Sequence, residues 1–317
     1  MGTQIVQLKE VTKLEIVSLM DNSADFLSSS TKKEAESFHY WNQTHSEMPF
    51  AEHGFSLLIR VFSNEVKSTI LFDTGVSPNG VVINANRMGI DLREVSLVVL
   101  SHGHYDHLGG LASVVKAVNK KDLQIISHED MFNRRGTVNS KGEIKEYPAI
   151  SSFDTTSVKI INTKEPQLFI SNLACVTGEI PRNTDFEKGL INNRIYKNNS
   201  WQPDPLILDE RALIFNVKDK GLVVISGCAH SGIINTVHYA QQIVGSSKVY
   251  AIIGGFHLAG KTFEKRIKAT VEELKRINSE LIIASHCTGW RAIFAIKEAL
   301  PGAFIFNSVG NRYNLEG

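Results

Sequence analysis

Short apolar runs rich in β-branched residues recur along the chain, bounded by Gly, Asn, Asp or Ser, and this predicts strands. They are LEIVSLM (14–20), FSLLIRV, STILF (68–72), SLVVL (96–100), LQIIS (123–127), RALIFNV (211–217), GLVVIS (221–226), VYAIIG (249–254) and LIIA (281–284). Between them the apolar period lengthens to that of a helix. Leu111, Val114, Val115 and Val118 share one face, as do Ile233, Val237, Ala240 and Val244, and again Ile267, Val271, Leu274 and Ile277. Strands interleaved with such helices make the fold class α/β.

Two stretches share a plan of strand, polar turn, strand and small-residue turn. FSLLIRVFSNEVKSTILFDTG is matched about 155 residues later by RALIFNVKDKGLVVISGCAH, which suggests two related halves. Their ends, Asp73-Thr-Gly and Gly227-Cys-Ala-His, carry polar groups at strand ends, where sites usually form. Residues 21–53 read as irregular and polar, with a helical candidate near TKKEAESFHYW. Residues 183–210 read as a long turn-rich insertion, a lid or connector. No low-complexity linker divides the chain, so 1–317 is expected to be a single domain.

Composition narrows the function less than it narrows the class. Lys and Arg total 34 against 33 Asp and Glu, a net charge of +1, so nothing favours nucleic acid or an anionic membrane as partner. No run approaches the length of a membrane span, and MGTQIVQLKE lacks the pattern of a leader or a myristoylation signal. Cys175, Cys228 and Cys287 follow no finger or disulfide spacing, which suggests reduced thiols and a cytoplasmic protein.

The chemistry concentrates in SHGHYDHLGGL (101–111), between the SLVVL strand and the Leu111–Val118 helical stripe. Side chains two apart in extended chain share a face, so His102, His104 and Asp106 are expected to converge. His107, where the chain turns into the helix, can face a second metal. Three imidazoles and a carboxylate within six residues suit a borderline divalent cation such as Zn²⁺. Elsewhere His39, His45, His128 and His238 have no partner motif, and His53 ranks low. His257 in GGFHL sits at a strand end and is expected to face the pocket. Alternation in an extended SHCTG would point Cys287 away from a metal.

HGHYDH, preceded by ILFDTG, resembles the metallo-β-lactamase-fold superfamily. More narrowly the chain is similar to its dihydropterin synthase-like branch, through EHGFSLLI, VLSHGHYDHLGGL, TGEIPR, SGCAHSGIINTV, IGGFHL and SHCTG. The resemblance implies a four-layer αββα sandwich with two divalent ions at one edge of the paired sheets, zinc first, with manganese or iron also compatible. His102 and His104 would hold the first ion, and Asp106, His107 and His286 the second. Asp73 would act from behind the ligands, and Asp106 would both ligate and orient the nucleophile. Many members carry a third His where this chain reads TGEIP, which makes Glu179 a candidate ligand. Many carry a bridging Asp where it reads GCAH, so Cys228 or His230 must serve, with His230 favoured.

Weaker features concern the substrate. Ser231-Gly232 opens a helix whose free N–H groups could take a phosphate. Arg182, Lys261 and Arg291 could contact anions, and Trp201 or Trp290 could stack on a ring. The expected function is a metal-dependent hydrolase of a phosphoester or other ester, acting on a small molecule, possibly a phosphorylated one. The alternatives are a synthase-like transferase releasing pyrophosphate, a non-catalytic metal-binding sensor and, further off, a di-iron redox protein.

Overall fold

The computed structural model describes residues 5–43, 47–64 and 66–317. Residues 1–4, which belong to the stretch read for a leader, and His45 lie outside them. One sheet grows from the antiparallel hairpin Ser56–Phe62 with Lys67–Phe72. From there the chain crosses through the helix Gly80–Arg87 to Leu97–Val99, and through Leu111–Val118 to Leu123–Ser127, both added in parallel. On its other flank lie Lys13–Met20, then Arg312–Glu316 and, at the edge, Ala35–Glu36.

The second sheet repeats this plan. The hairpin Ala212–Val217 with Gly221–Ser226 leads through Ile233–Val244 to Val249–Gly255, and through Ile267–Ile277 to Leu281–Ser285, again in parallel. The two hairpins singled out in the sequence are thus equivalent starting points of two sheets.

Strand side chains alternate between faces, and that alternation builds the layers. Leu57, Ile59, Ile70 and Phe72 meet Leu213, Phe215, Val223 and Ile225 in a core shared by the two sheets. The alternate residues Leu58, Leu71 and Val98 pack beneath Val81, Ala85, Leu111 and Val114. On the far side Ile214, Val224 and Ile252 pack beneath Ile233, Val237 and Leu274. Helices therefore cover the outer face of each sheet, which is the expected αββα sandwich. Each fully buried side chain of this kind contributes about 1.5–3 kcal/mol.

The 183–210 segment is more ordered than its composition suggests. Asn193–Lys197 and Ser200–Pro203 form a hairpin that pairs onto Arg135–Val138, with Ile144–Glu146 beyond, in a separate small sheet. Asn198 and Asn199 make the two-residue turn at positive φ, a conformation Asn tolerates well. Its strands read NRIYK and SWQP, too polar for a hydrophobic pattern to expose them. The 21–53 stretch stays largely irregular, with only Ala35–Glu36 and the short helix Phe38–Trp41. Among the described residues no helix is long and apolar enough to cross a membrane.

Candidate metal centre

The chemistry-bearing residues follow the C-terminal ends of strands from both sheets: Asp73 after Lys67–Phe72, His102 after Leu97–Val99, Cys228 after Gly221–Ser226 and His286 after Leu281–Ser285. The two crests touch, for a Cβ on Gly227 would lie 2.1 Å from Ser101 Oγ and 2.9 Å from Asp73 Oδ2. Only a glycine lets the two hairpin ends approach so closely.

His102, His104 and His230 form one donor set. Their ring centroids are 4.6 to 4.7 Å apart pairwise, and the Nε2 atoms of His102 and His104 are buried without a hydrogen-bond partner. Buried polar nitrogens are rarely left so, and a cation between the rings is what neutral imidazoles converging in this way fit. Burial, reinforced by the neighbouring imidazoles, holds His102 and His104 well below the usual histidine range, which keeps them neutral.

Asp106, His107 and His286 form a second set with Cys228, their donor atoms all within 4.8 Å of one another. His286 Nε2 stands 3.3 Å from Asp106 Oδ2. Burial alone would lower His286, but the Asp106 carboxylate beside it raises it to about 9. Burial would likewise raise Asp106, and the facing imidazoles, His107 foremost, hold it well below the carboxylate range. Cys228 also groups with His102 and His230, and its Sγ lies 3.2 Å from His107 Nε2. It therefore stands between the two sets.

Polar groups behind the rings fix how they point. Asp73, fully buried, accepts from His107 Nδ1 at 2.6 Å and from Ser101 Oγ at 2.7 Å. Ser101 Oγ is 2.9 Å from His102 Nδ1, Glu210 Oε1 accepts from His230 Nδ1 at 2.9 Å, and Asn22 Oδ1 accepts from His286 Nδ1 at 3.0 Å. These contacts occupy the δ nitrogens of His102, His107, His230 and His286, and so turn their ε nitrogens inward. Asp73 touches the centre through His107 and Ser101. The family model of the metallo-beta-lactamase superfamily matches residues 50–235. The chain belongs to the metallo-beta-lactamase superfamily.

Within that superfamily it is 33% identical over 264 residues to the 7,8-dihydropterin-6-methyl-4-(beta-D-ribofuranosyl)-aminobenzene-5'-phosphate synthase of Methanocaldococcus jannaschii, covering 77% of this chain and 84% of that one. It is 32% identical over 268 residues to an uncharacterised protein of the same organism, covering 82% and 93%. Among solved structures it resembles a metal-dependent hydrolase of the beta-lactamase superfamily, with TM-score 0.71, 24% identity and 96% and 99% coverage. A metallo-beta-lactamase fold protein of Bacillus subtilis gives TM-score 0.53 at 13% identity, with 96% and 100% coverage. These two likenesses concern the fold.

The metallo-beta-lactamase frame makes the departures of this chain legible. Glu179 is not brought to the centre: its Oε1 lies 3.2 Å from His128 Nε2, and His230 completes the first imidazole set instead. Cys228 and His230 are both present rather than one or the other. Asp106 leaves His102 and His104, because the chain turns helical over Tyr105–Leu108 and swings its carboxylate toward His107 and His286.

Cys287 does not point away, for His286–Thr288 is a 3₁₀ turn with His286 at φ 50° rather than extended chain. The Ser231-Gly232 cradle is already filled. Glu187 accepts the N–H of Ile234 and Asn235 at 3.0 and 2.9 Å, and Glu210 accepts those of His230 and Ser231.

A cavity of about 1140 Å³ opens from the centre. His257, His53, Tyr105, Tyr147 and Trp290 line it. His53, ranked low in the sequence, stacks on His286 with centroids 5.0 Å apart and reaches within 3.5 Å of Asp106. Arg182 instead donates to the carbonyls of Ile180 and Leu206. Arg291 pairs with Glu264 outside the lining, Lys261 is exposed outside it, and Trp201 packs on Tyr196 in the small sheet. Glu210 and Asn22 escaped sequence reasoning, since each lies far along the chain from the histidine it holds.

Proposed function

We propose that the protein is a metal-dependent hydrolase acting on a phosphoester or other ester of a small molecule. The observation that carries this reading is the pair of buried donor sets joined at Cys228, with the Nε2 atoms of His102 and His104 left without partners. His102, His104 and His230 would hold one divalent ion, and Asp106, His107 and His286 a second, with Cys228 between them. Zinc suits these donors best, and manganese or iron is compatible with the imidazole and carboxylate set. Such a pair, when bound, lowers the pKa of water toward about 7 and offsets charge developing on a reacting oxygen.

The chain's own residues supply the rest. Asp73, Glu210 and Asn22 hydrogen-bond three of the rings, Asp106 would orient the attacking oxygen, and the cavity beyond Tyr105 and Tyr147 would receive the substrate. The three unpaired cysteines support a reducing compartment such as the cytoplasm.

A second reading rests on the synthase among the relatives. In it the same centre promotes transfer to an acceptor other than water, with diphosphate leaving. Elemental analysis of protein purified without chelator or affinity nickel, followed by incubation with phosphoesters, carboxylic esters and a pterin diphosphate with an aminobenzene acceptor, separates the two. Two ions per chain with release of a free alcohol supports hydrolysis, and a coupled product supports transfer. Full metal content and activity in His104→Ala would sink both.

A further inference from the structure

Three neighbouring strands, Gly221–Ser226, Val249–Gly255 and Leu281–Ser285, are hydrogen-bonded in that order. Each delivers one soft donor just past its C-terminal end: Cys228, His257 and Cys287. Both sulfurs and a ring nitrogen of His257 lie within 4.8 Å of one another. Ligand bonds of about 2.0–2.3 Å put donors around one tetrahedral ion roughly 4 Å or less apart, so small side-chain rotations close this group.

Further observations point to a ligand here. His257 Nδ1 is buried without a hydrogen-bond partner. The residue holds φ 43°, a strained conformation for a non-glycine, with its ring packed between His230 and Phe263. Cys228 and Cys287 are free thiols, with Cys287 Sγ 3.4 Å from the Cys228 carbonyl. All three residues line the cavity, which gives an ion entry and leaves room for a fourth ligand.

We propose that Cys228, His257 and Cys287 form a third metal position, suited to a thiophilic ion such as Zn²⁺, Cd²⁺ or Cu⁺. Two sulfurs and an imidazole are softer donors than the carboxylate and imidazoles of Asp106, His107 and His286, so such ions favour this position. It shares only Cys228 with the two-ion centre, and His257 and Cys287 belong to it alone. The third position rests on the two-ion reading for its total count, but not for its own ligands.

The test is titration of the metal-free, fully reduced chain with Cd²⁺. Bound ions are counted by elemental analysis after gel filtration, and the thiolate-to-cadmium absorption is followed in the ultraviolet. Wild type is expected to bind three ions. Cys287→Ser and His257→Ala should each bind two, with the absorption falling by about half in Cys287→Ser as one of two site thiolates is lost. Cys175, buried within the Ala174–Val176 strand, adds nothing.

His104→Ala should lose the first ion and keep the full absorption. Two ions in wild type and in both variants, with unchanged absorption, would overturn the third position and leave the two-ion centre standing. A single ion in wild type, lost in Cys287→Ser and His257→Ala but kept in His104→Ala, would sustain the third position and overturn the two-ion reading.

Discussion

Glu210 Oε1 accepts both the Nδ1–H of His230, at 2.9 Å, and the backbone N–H of the same residue, at 2.6 Å. One buried carboxylate thus fixes the ring and the chain that carries it. Burial would raise this acid, yet His230 and the Ser231 donors hold it well below the carboxylate range, so it stays ionised. Replacing it with Ala frees the ring to rotate and lets the wrong nitrogen face the ions. Glu210→Ala should weaken binding of the first ion by about 10–100-fold, as loss of an orienting partner commonly does. Competition with a fluorescent chelator reads this directly, and an unchanged affinity would mean that His230 needs no such anchor.

Removing the metals should cost stability. A ligand bound only by the folded state, at a free concentration about a hundred times its dissociation constant, stabilises by about 2.7 kcal/mol. Chelation followed by dialysis should therefore lower the unfolding free energy by an amount of this order for each ion. Zinc should restore it in wild type, and only in part in His104→Ala. Urea denaturation with and without chelator decides the matter, and coincident curves would count against resident ions.

Four of the donors, His102, His104, Asp106 and His107, were legible because they lie within one hexapeptide, and His-x-His places two rings on one face. The α/β class was legible because short apolar runs, buried on both faces as strands, interleave with stripes of helical period, whereas the sandwich itself came from the resemblance. What escaped depended on distance along the chain. Glu210 sits 20 residues before the histidine it holds, and Asn22 264 residues before His286. Cys228 read as one alternative to His230, and Cys287 as pointing away, because only the fold shows that their strands flank Val249–Gly255 in one sheet. Glu179 was a candidate because it stands where many members carry a third His, and in the fold its Oε1 lies 3.2 Å from His128 Nε2 instead. Glu187 filled the supposed phosphate cradle from within the segment that read as a loose insertion.

Arg135 tests how the metal loop is supported. It is buried, paired through Nη1 with Asp204 and through Nη2 with Asp209 at 2.8 Å. Asp209 Oδ2 in turn accepts the N–H of Gly103, between the two first histidines, at 2.7 Å. Arg135→Ala leaves two acids without their cation in a buried setting and should destabilise the fold by about 3–5 kcal/mol. Equilibrium urea unfolding measures it, and a loss below about 1 kcal/mol would show that water reaches the pair.

Gly232 and Glu187 should prove energetically coupled. Gly232 holds φ 96°, and a Cβ placed there would lie 2.0 Å from Glu187 Cδ. Gly232→Ala therefore meets both backbone strain, of about 1–3 kcal/mol, and a steric conflict that displaces the carboxylate from the Ile234 and Asn235 amides. Glu187→Ala removes that carboxylate alone and should cost about 1 kcal/mol, as loss of a helix cap does. In the double variant the clash with the carboxylate has gone, leaving only the Cβ of residue 187 at 2.4 Å, and the cap is already lost, so the combined cost should fall short of the sum of the single costs by about 0.5–3 kcal/mol. Four urea curves complete the cycle. Strict additivity would mean that the alanine methyl and the Glu187 carboxylate do not compete for the same space.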